Sequence, residues 1–412
     1  MDLQELERRT PVENGLDLKV NRLPVRTWNR LKMNEARLER IAAEKAPAVI
    51  TEGFLEPEAW EEDFSSVATG MGRDMDRLRD AAEATAIRSG TEAHPARAAA
   101  IQGADKIEPI RIEAEAEAIQ GAAEAASIRA AAEIRAARTA PVEEDRAVLH
   151  FICQDGENSF QPVEILAGEG ERLTVVMDFT SAPGDGGQIA VQTRFKARKN
   201  ARVRLIQLQL LGSGYRMLND IGGSCGDGAS VEIVQLFLGG AETYAGCLAE
   251  LDGVESALSV DVGYLGREGQ RFDMNYVANH RGRRSKSRIM AGGVLRDQAF
   301  KLFRGTIDFK AGAAGAEGEE QEDVLILGDD AVNQTIPLIL CAEEDVQGSH
   351  GATIGRLDDE LLFYLCSRGM SREKASQVMT RAKLDKVCRR IGDEAARRLA
   401  QDYLEEVSGD GK

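Results

Sequence analysis

A hydrophobic pattern that recurs at a fixed offset limits the available folds more than any single motif, and residues 201–266 carry one. "ARVRLIQLQLLG", starting at Ala201, superposes on "ASVEIVQLFLGG", starting at Ala229, at an offset of 28, and "SALSVDVGYLG" follows about 27 residues later. A unit of that length cannot bury its own apolar face. Units stacked on one another can, and they build a continuous internal column. The repeat therefore predicts a β-solenoid in which Val203, Leu205, Val231, Ile233, Leu258 and Val260 point inward. A β-sandwich or barrel also produces many short strands and is the alternative on pattern alone.

Four regions follow from the change of character along the chain. Residues 1–73 read as a helical N-terminal region, with Trp28, Leu31, Ala36, Leu38 and Ile41 at rough helical spacing in "LPVRTWNRLKMNEARLERI". Residues 74–141 are rich in Ala, Glu and Arg; their helix propensity is high but their apolar face is thin, which predicts an exposed helical arm or linker. Within it, "IEPIRIEAEAEA" alternates like a strand. Residues 142–356 form the predicted solenoid core, a series of short apolar runs punctuated by glycine. Residues 357–412 read as a C-terminal helical domain. There Asp358, Asp359 and Glu360 supply a cap and an acidic first turn, and Gly369 ends the helix. Ser371 starts a second helix with Ala375, Val378, Met379, Ala382, Val387 and Ile391 on its apolar face. Gly392 breaks it before a third helix over "DEAARRLAQDYLEEV".

The 412 residues carry 52 basic against 69 acidic side chains, a formal charge of −17, which opposes binding to nucleic acid or an anionic membrane surface. No apolar run reaches the length of a membrane-spanning helix, and the first residues lack a signal-peptide layout, so the expected location is the cytoplasm. The six cysteines lie at least 22 residues apart, which excludes a CxxC pair and predicts mostly buried free thiols.

Familiar catalytic signatures are missing: the chain has no GxxxxGK[ST], HExxH or GxSxG. Its glycine clusters, "GDGG" and "GGSCGDG", fall inside β territory and suit coil corners. The densest basic run, "NHRGRRSKSR", places His280, Arg281, Arg283, Arg284, Lys286 and Arg288 together; a solvated loop is the simpler reading, and an acidic partner surface or an anionic cofactor the other. Cys341 and His350 are the one pair worth weighing as metal ligands, since thiolate and imidazole both suit iron and zinc. Two donors do not complete a site, so completion requires another chain. A β-helix enzyme acting on carbohydrate would need a groove lined with acids or bases, yet His94, His150, His280 and His350 are dispersed.

The stretch "NQTIPLILCAEEDVQGSHGATIGRLDDELLFYLCSRGMSREKA", residues 333–375, resembles the C-terminal signature of the SufB/SufD family of iron–sulfur cluster assembly scaffolds, most nearly its SufD branch. The likeness continues through "NHRG", "KSRIMAGGVL", "AFKLFRGTIDF" and "LNDIGGSCGDGA", covering about residues 147–392, and "LPVRTWNRLKMNEA" looks like the family's N-terminal region. The resemblance implies a right-handed parallel β-helix core with helical flanks. It implies a scaffold without turnover of its own, sharing a transient iron–sulfur cluster with a SufB-type chain or a second copy of itself. A SufC-type ABC ATPase would bind the ATP and dock on the C-terminal helices, around Leu361, Leu362, Tyr364, Leu365, Arg368 and Gly369. His350 of "SHGAT" would sit at the interface of the two cores as a candidate cluster ligand, with Cys341 a weaker second. Many SufD members carry a cysteine two residues before this histidine; here Gly348 stands in its place.

Overall fold

The computed structural model of the protein describes residues 15–25, 32–43, 48–53, 64, 66–88, 132–135, 145–356 and 359–408. Four strands come first: β1 (Leu16–Val20), β2 (Ala36–Ile41), β3 (Ala48–Gly53) and β4 (Ala132–Arg135). The solenoid follows as β5 (Asp145–Ile152), β6 (Glu157–Ala167), β7 (Arg172–Thr180), β8 (Gly186–Ala197), β9 (Arg202–Leu210), β10 (Gly214–Cys225), β11 (Ser230–Phe237) and β12 (Glu242–Leu251). It continues as β13 (Ala257–Gly266), β14 (Arg271–His280), β15 (Lys286–Leu295), β16 (Phe300–Phe309), β17 (Ala316–Ile326), β18 (Val332–Cys341) and β19 (Val346–Arg356).

Odd-numbered strands from β3 to β19 make a nine-stranded sheet and even-numbered strands from β4 to β18 an eight-stranded one. The chain thus crosses between two facing sheets and advances one coil for every two strands. The expected solenoid is what forms. From β5 to β19 every neighbouring pair in each sheet is parallel, whereas β3 runs antiparallel to β5 at the N-terminal edge.

The offset of 28 is the coil length made visible. Val231 pairs in register with Val203 on one side and Leu258 on the other, and Ile233 with Leu205 and Val260. All six side chains lie in the lumen between the sheets, none more than 3% exposed. Both outer faces are covered as well, which is why so many of these strands read as near-continuous apolar runs. On the odd sheet, Ile206, Leu208, Val234, Leu236, Leu265 and Val294 pack against the C-terminal helices. On the even sheet, Phe160, Ala190, Leu218 and Tyr244 meet the N-terminal elements.

The N-terminal region departs in part from expectation. Ala36, Leu38 and Ile41 lie on strand β2, antiparallel to β1, and not on a helix. Leu18 opposite Leu38 and Leu16 opposite Ile41 leave one extra residue in β2, and Arg40 takes a positive φ of 56° there. That bulge returns Ile41 to the buried face. The resulting two-then-three spacing imitates a helical stripe. The helix of this region is α1 (Arg73–Arg88), which occupies the start of the predicted Ala/Glu/Arg-rich arm and buries Met75, Leu78 and Ala82. Trp28, Leu31 and "IEPIRIEAEAEA" lie outside the described residues, as does Asp358.

The C-terminal helices are α2 (Asp359–Ser367), α3 (Arg372–Cys388) and α4 (Glu394–Ser408). Gly369 closes α2 with φ +93°, and the Ser371 side chain caps α3 by accepting the Lys374 N–H at 3.1 Å. Asp393 caps α4 in the same way, accepting from the Ala396 N–H at 2.8 Å. The buried face of α3 runs through Ala375, Thr380, Leu384, Val387 and Cys388, so Val378 and Ala382 of the expected face are exposed instead. The reason is where the helix rests: its last two turns sit on the solenoid, tied by Lys383 to Asp323, with Arg390 just beyond its end reaching Asp261. Four of the six cysteines are buried and unbridged, as expected; Cys341 and Cys366 are exposed. Burial pushes the Cys225 and Cys388 thiols up to about 12. Among the described residues no helix is long and apolar enough to cross a membrane.

His280 closes β14 inside the lumen, fully buried, its two ring nitrogens 2.8 Å from the hydroxyls of Ser285 and Ser287 and its ring 4.8 Å from Phe309. Burial lowers its pKa from 6.5 to about 4, against a weaker opposing pull from Asp308. The folded state resists taking a proton that the unfolded state accepts, so this contribution to stability is complete above about pH 6.5 and is lost as pH falls toward 4. Over that window the unfolding free energy is expected to drop by about 3 kcal/mol from this group. Denaturant titrations at pH 7 and 4.5 check it, and in His280→Gln the pH dependence should be correspondingly flatter.

Candidate functional site at the open end of the solenoid

Every coil except the last is capped by the next. β18 and β19 form the final rung, and among the described residues nothing pairs with their outer edges. The consequence is visible residue by residue: Glu320 on β17 is 2% exposed, while its in-register neighbour on β19, His350, is exposed.

The strand period fixes which way His350 faces. On β17 the buried positions alternate as Ala316, Gly318, Glu320, Glu322 and Val324. On β19 a Cβ at Gly348 would fall 3.0 Å from the Phe309 ring and 3.1 Å from Ile339, so Gly348 faces the lumen, and His350 two residues on faces it too. A side chain at Gly348 would press on the Phe309 ring, which would have to give by a few tenths of an ångström.

Beneath His350 lies a buried polar group. Lys301 on β16, 0% exposed, donates to the Glu322 carboxylate and, at 3.2 Å, to the Thr335 hydroxyl, which itself donates to Glu322. Glu320 stands beside them with Oε2 lacking a hydrogen-bond partner among the described residues. It fits only because Gly305 lies opposite, where a Cβ would come within 2.2 Å of the carboxyl carbon. One cation therefore serves two carboxylates. Burial, then the neighbouring Glu322, push the Glu320 carboxyl up to about 8, partly offset by Lys301; burial pulls Lys301 down. The mouth of the solenoid therefore holds a buried polar group of one lysine and two glutamates. Sequence reasoning missed it, although the alternation in "AEGEEQED" carries the signal: every second residue of that acidic stretch points inward.

Cys341 ends β18 in register with Phe309, whereas the Glu320 carboxyl in His350's row lies over Gly305. Those positions are four residues apart along the strand, about 13 Å. The structure does not bring Cys341 and His350 together, and among the described residues no group of three or more His, Cys, Asp or Glu side chains could hold a metal ion. His150 lies elsewhere, its Nδ1 2.6 Å from Asp178, and His94 is outside the described residues.

The basic run is largely neutralised within the chain. Arg281 pairs with Glu250, Arg284 with Glu255, Lys286 with Glu317 and Arg288 with Asp261, each across adjacent coils. Of the residues expected to meet an ATPase, Leu362 is buried, Leu361 and Leu365 are half-buried, and Tyr364 is exposed with the Arg368 guanidinium 5.2 Å from its ring centre. Phe363, 76% exposed, was not singled out from the sequence, yet with Tyr364, Met370 and Val378 it puts large apolar side chains in solvent.

Residues 150–383 match the family model described as the SufBD core domain of the SUF system for iron–sulfur cluster assembly. The chain is similar to the iron–sulfur cluster assembly protein SufD of Bacillus subtilis, 30% identical over 141 residues, covering 34% of this chain and 32% of that protein. It is 26% identical over 241 residues to SufD of Escherichia coli, covering 58% of this chain and 56% of that protein. A chloroplastic SufBD family protein of Arabidopsis thaliana is 24% identical over 244 residues, 57% of this chain and 44% of the relative. The matches thus span between about a third and just over half the length of these relatives. With a two-sheet parallel solenoid and a core-domain match over more than half its residues, the chain belongs to the SufB/SufD family of iron–sulfur cluster assembly proteins and is most like SufD.

Proposed function

We propose that this chain is a scaffold subunit without turnover of its own, which joins its open solenoid end to that of a SufB-type chain and helps hold a nascent iron–sulfur cluster between them. The cluster is cargo. The observation that carries the reading is the position of His350: a lumen-facing imidazole on the last, uncovered rung, exposed where its neighbours one coil earlier are buried. One imidazole binds iron weakly, so the remaining ligands come from the partner. Cys341, exposed at the end of β18, offers a second and more distant donor. A SufC-type ATPase docks on the C-terminal helices, where Phe363 and Tyr364 supply apolar contact area, and binds the ATP for which this chain has no phosphate loop.

The test is anaerobic reconstitution of the complex formed on co-expression with a SufB-type chain and a SufC-type ATPase. His350→Ala should lower bound iron and acid-labile sulfide several-fold while the subunits still co-purify. Equal cluster content in an intact complex would remove the ligand role.

A further inference from the structure

Lys301 acts on the Glu320 carboxyl through its charge alone, with no hydrogen bond between them. Lys301 is already engaged by Glu322 and Thr335, and Glu320 Oε2 is buried without a hydrogen-bond donor among the described residues. A buried carboxyl oxygen left bare costs on the order of a few kcal/mol, so its retention calls for a partner. The nearest unused chemistry is one rung outward. His350 is its in-register neighbour on the same lumen-facing row, and adjacent strands lie about 4.8 Å apart. The two side chains make no hydrogen bond as they stand; a turn of the exposed imidazole about its side-chain torsions would bring one ring nitrogen to the carboxyl and leave the other facing past the last rung. Gly305 keeps the space beneath clear for the carboxyl.

We propose that Glu320 is the positioning residue for His350: its unpartnered oxygen accepts the inward ring N–H, fixes the tautomer, and turns the other nitrogen outward to the face where iron is met. Histidines that ligate metals commonly donate their second N–H to such an acceptor, and losing it weakens metal binding by about 10- to 100-fold. This inference rests on His350 as a cluster ligand, but its first readout does not need the cluster.

That readout is the tautomer of His350 in the full chain, taken from ring nitrogen shifts of ¹⁵N-histidine-labelled protein and assigned with His350→Ala. The wild type should show one tautomer, Glu320→Leu a mixture, and Glu320→Gln, which keeps a neutral acceptor, an intermediate ratio. In the reconstituted complex Glu320→Leu should lower cluster content about tenfold, with partial recovery in Glu320→Gln. A wild-type mixture of tautomers, or a single tautomer that persists without the carboxylate, overturns the proposal. If Glu320→Leu does not fold, the near-isosteric Glu320→Gln decides by the same two measurements. Should the tautomer loosen while His350→Ala leaves the cluster content unchanged, the positioning contact stands and the ligand reading fails. Should His350→Ala lower the content and Glu320→Leu leave both readouts unchanged, the reverse holds.

Discussion

Arg304→Ala is expected to lower the unfolding free energy by about 3–5 kcal/mol and to release the N-terminal segment from the even sheet. Arg304 is fully buried; its guanidinium holds Asp273 through contacts of 2.6 and 3.3 Å and donates to the Met33 carbonyl at 2.7 Å. Asn21 donates to the same aspartate, to its carboxylate at 2.8 Å and its carbonyl at 2.7 Å. The Arg304–Asp273 pair thus ties two adjacent coils to two points in the N-terminal segment. Alanine leaves Asp273 as a buried charge with only the Asn21 amide, among the described residues, to satisfy it. The loss should appear in the denaturant midpoint and as faster hydrogen exchange over residues 16–23 and 33–41. Pairing Arg304→Met with Asp273→Leu should cost less than Arg304→Ala alone, because no charge remains stranded. An unchanged midpoint in Arg304→Ala would contradict the account.

Lys301→Met should be comparably damaging, by about 3–5 kcal/mol at neutral pH, for it strands the buried Glu322 carboxylate and removes the cation beside Glu320. Its pH dependence separates it from Arg304→Ala. Glu320 is already raised to about 8 with Lys301 present, and removing the cation that opposes the rise lifts it further. In the window between the ordinary glutamate range and that raised value, the folded state holds more protons than the unfolded one. Stability from this source is therefore lost as pH rises. Below about pH 8 that loss is common to wild type and variant; above it the variant alone keeps losing, so the gap between Lys301→Met and wild type should widen as pH rises past 8. A gap that widens on acidification would mean that the carboxylates are not the stranded groups.

The fold was readable where one rule governed many residues at once. Coil length forces a regular offset, so Val203, Val231 and Leu258 announced their stacking before any coordinates did. Local irregularity defeated the same reasoning. A single bulge at Arg40 made β2 look helical, and the tilt of α3 across the odd sheet exposed Val378 in place of Thr380 and Leu384. The site was half legible. His350 stood out by its sparse neighbours, but Glu320 and Lys301 are 19 residues apart in a chain with many charges, and only the closing of a coil makes them neighbours. Charge composition could not reveal this, because it does not say which face of a strand a charge occupies.

Among the described residues the two ends of the solenoid differ: β3, antiparallel to β5, and β4, parallel to β6, border one, while β18 and β19 border the other. Two last rungs joined about a two-fold axis would meet as antiparallel edges, a direction in which strands pair well. Such a joint occupies β18 and β19 of both copies and leaves the β3 and β4 borders outward. Growth by this route stops at a pair.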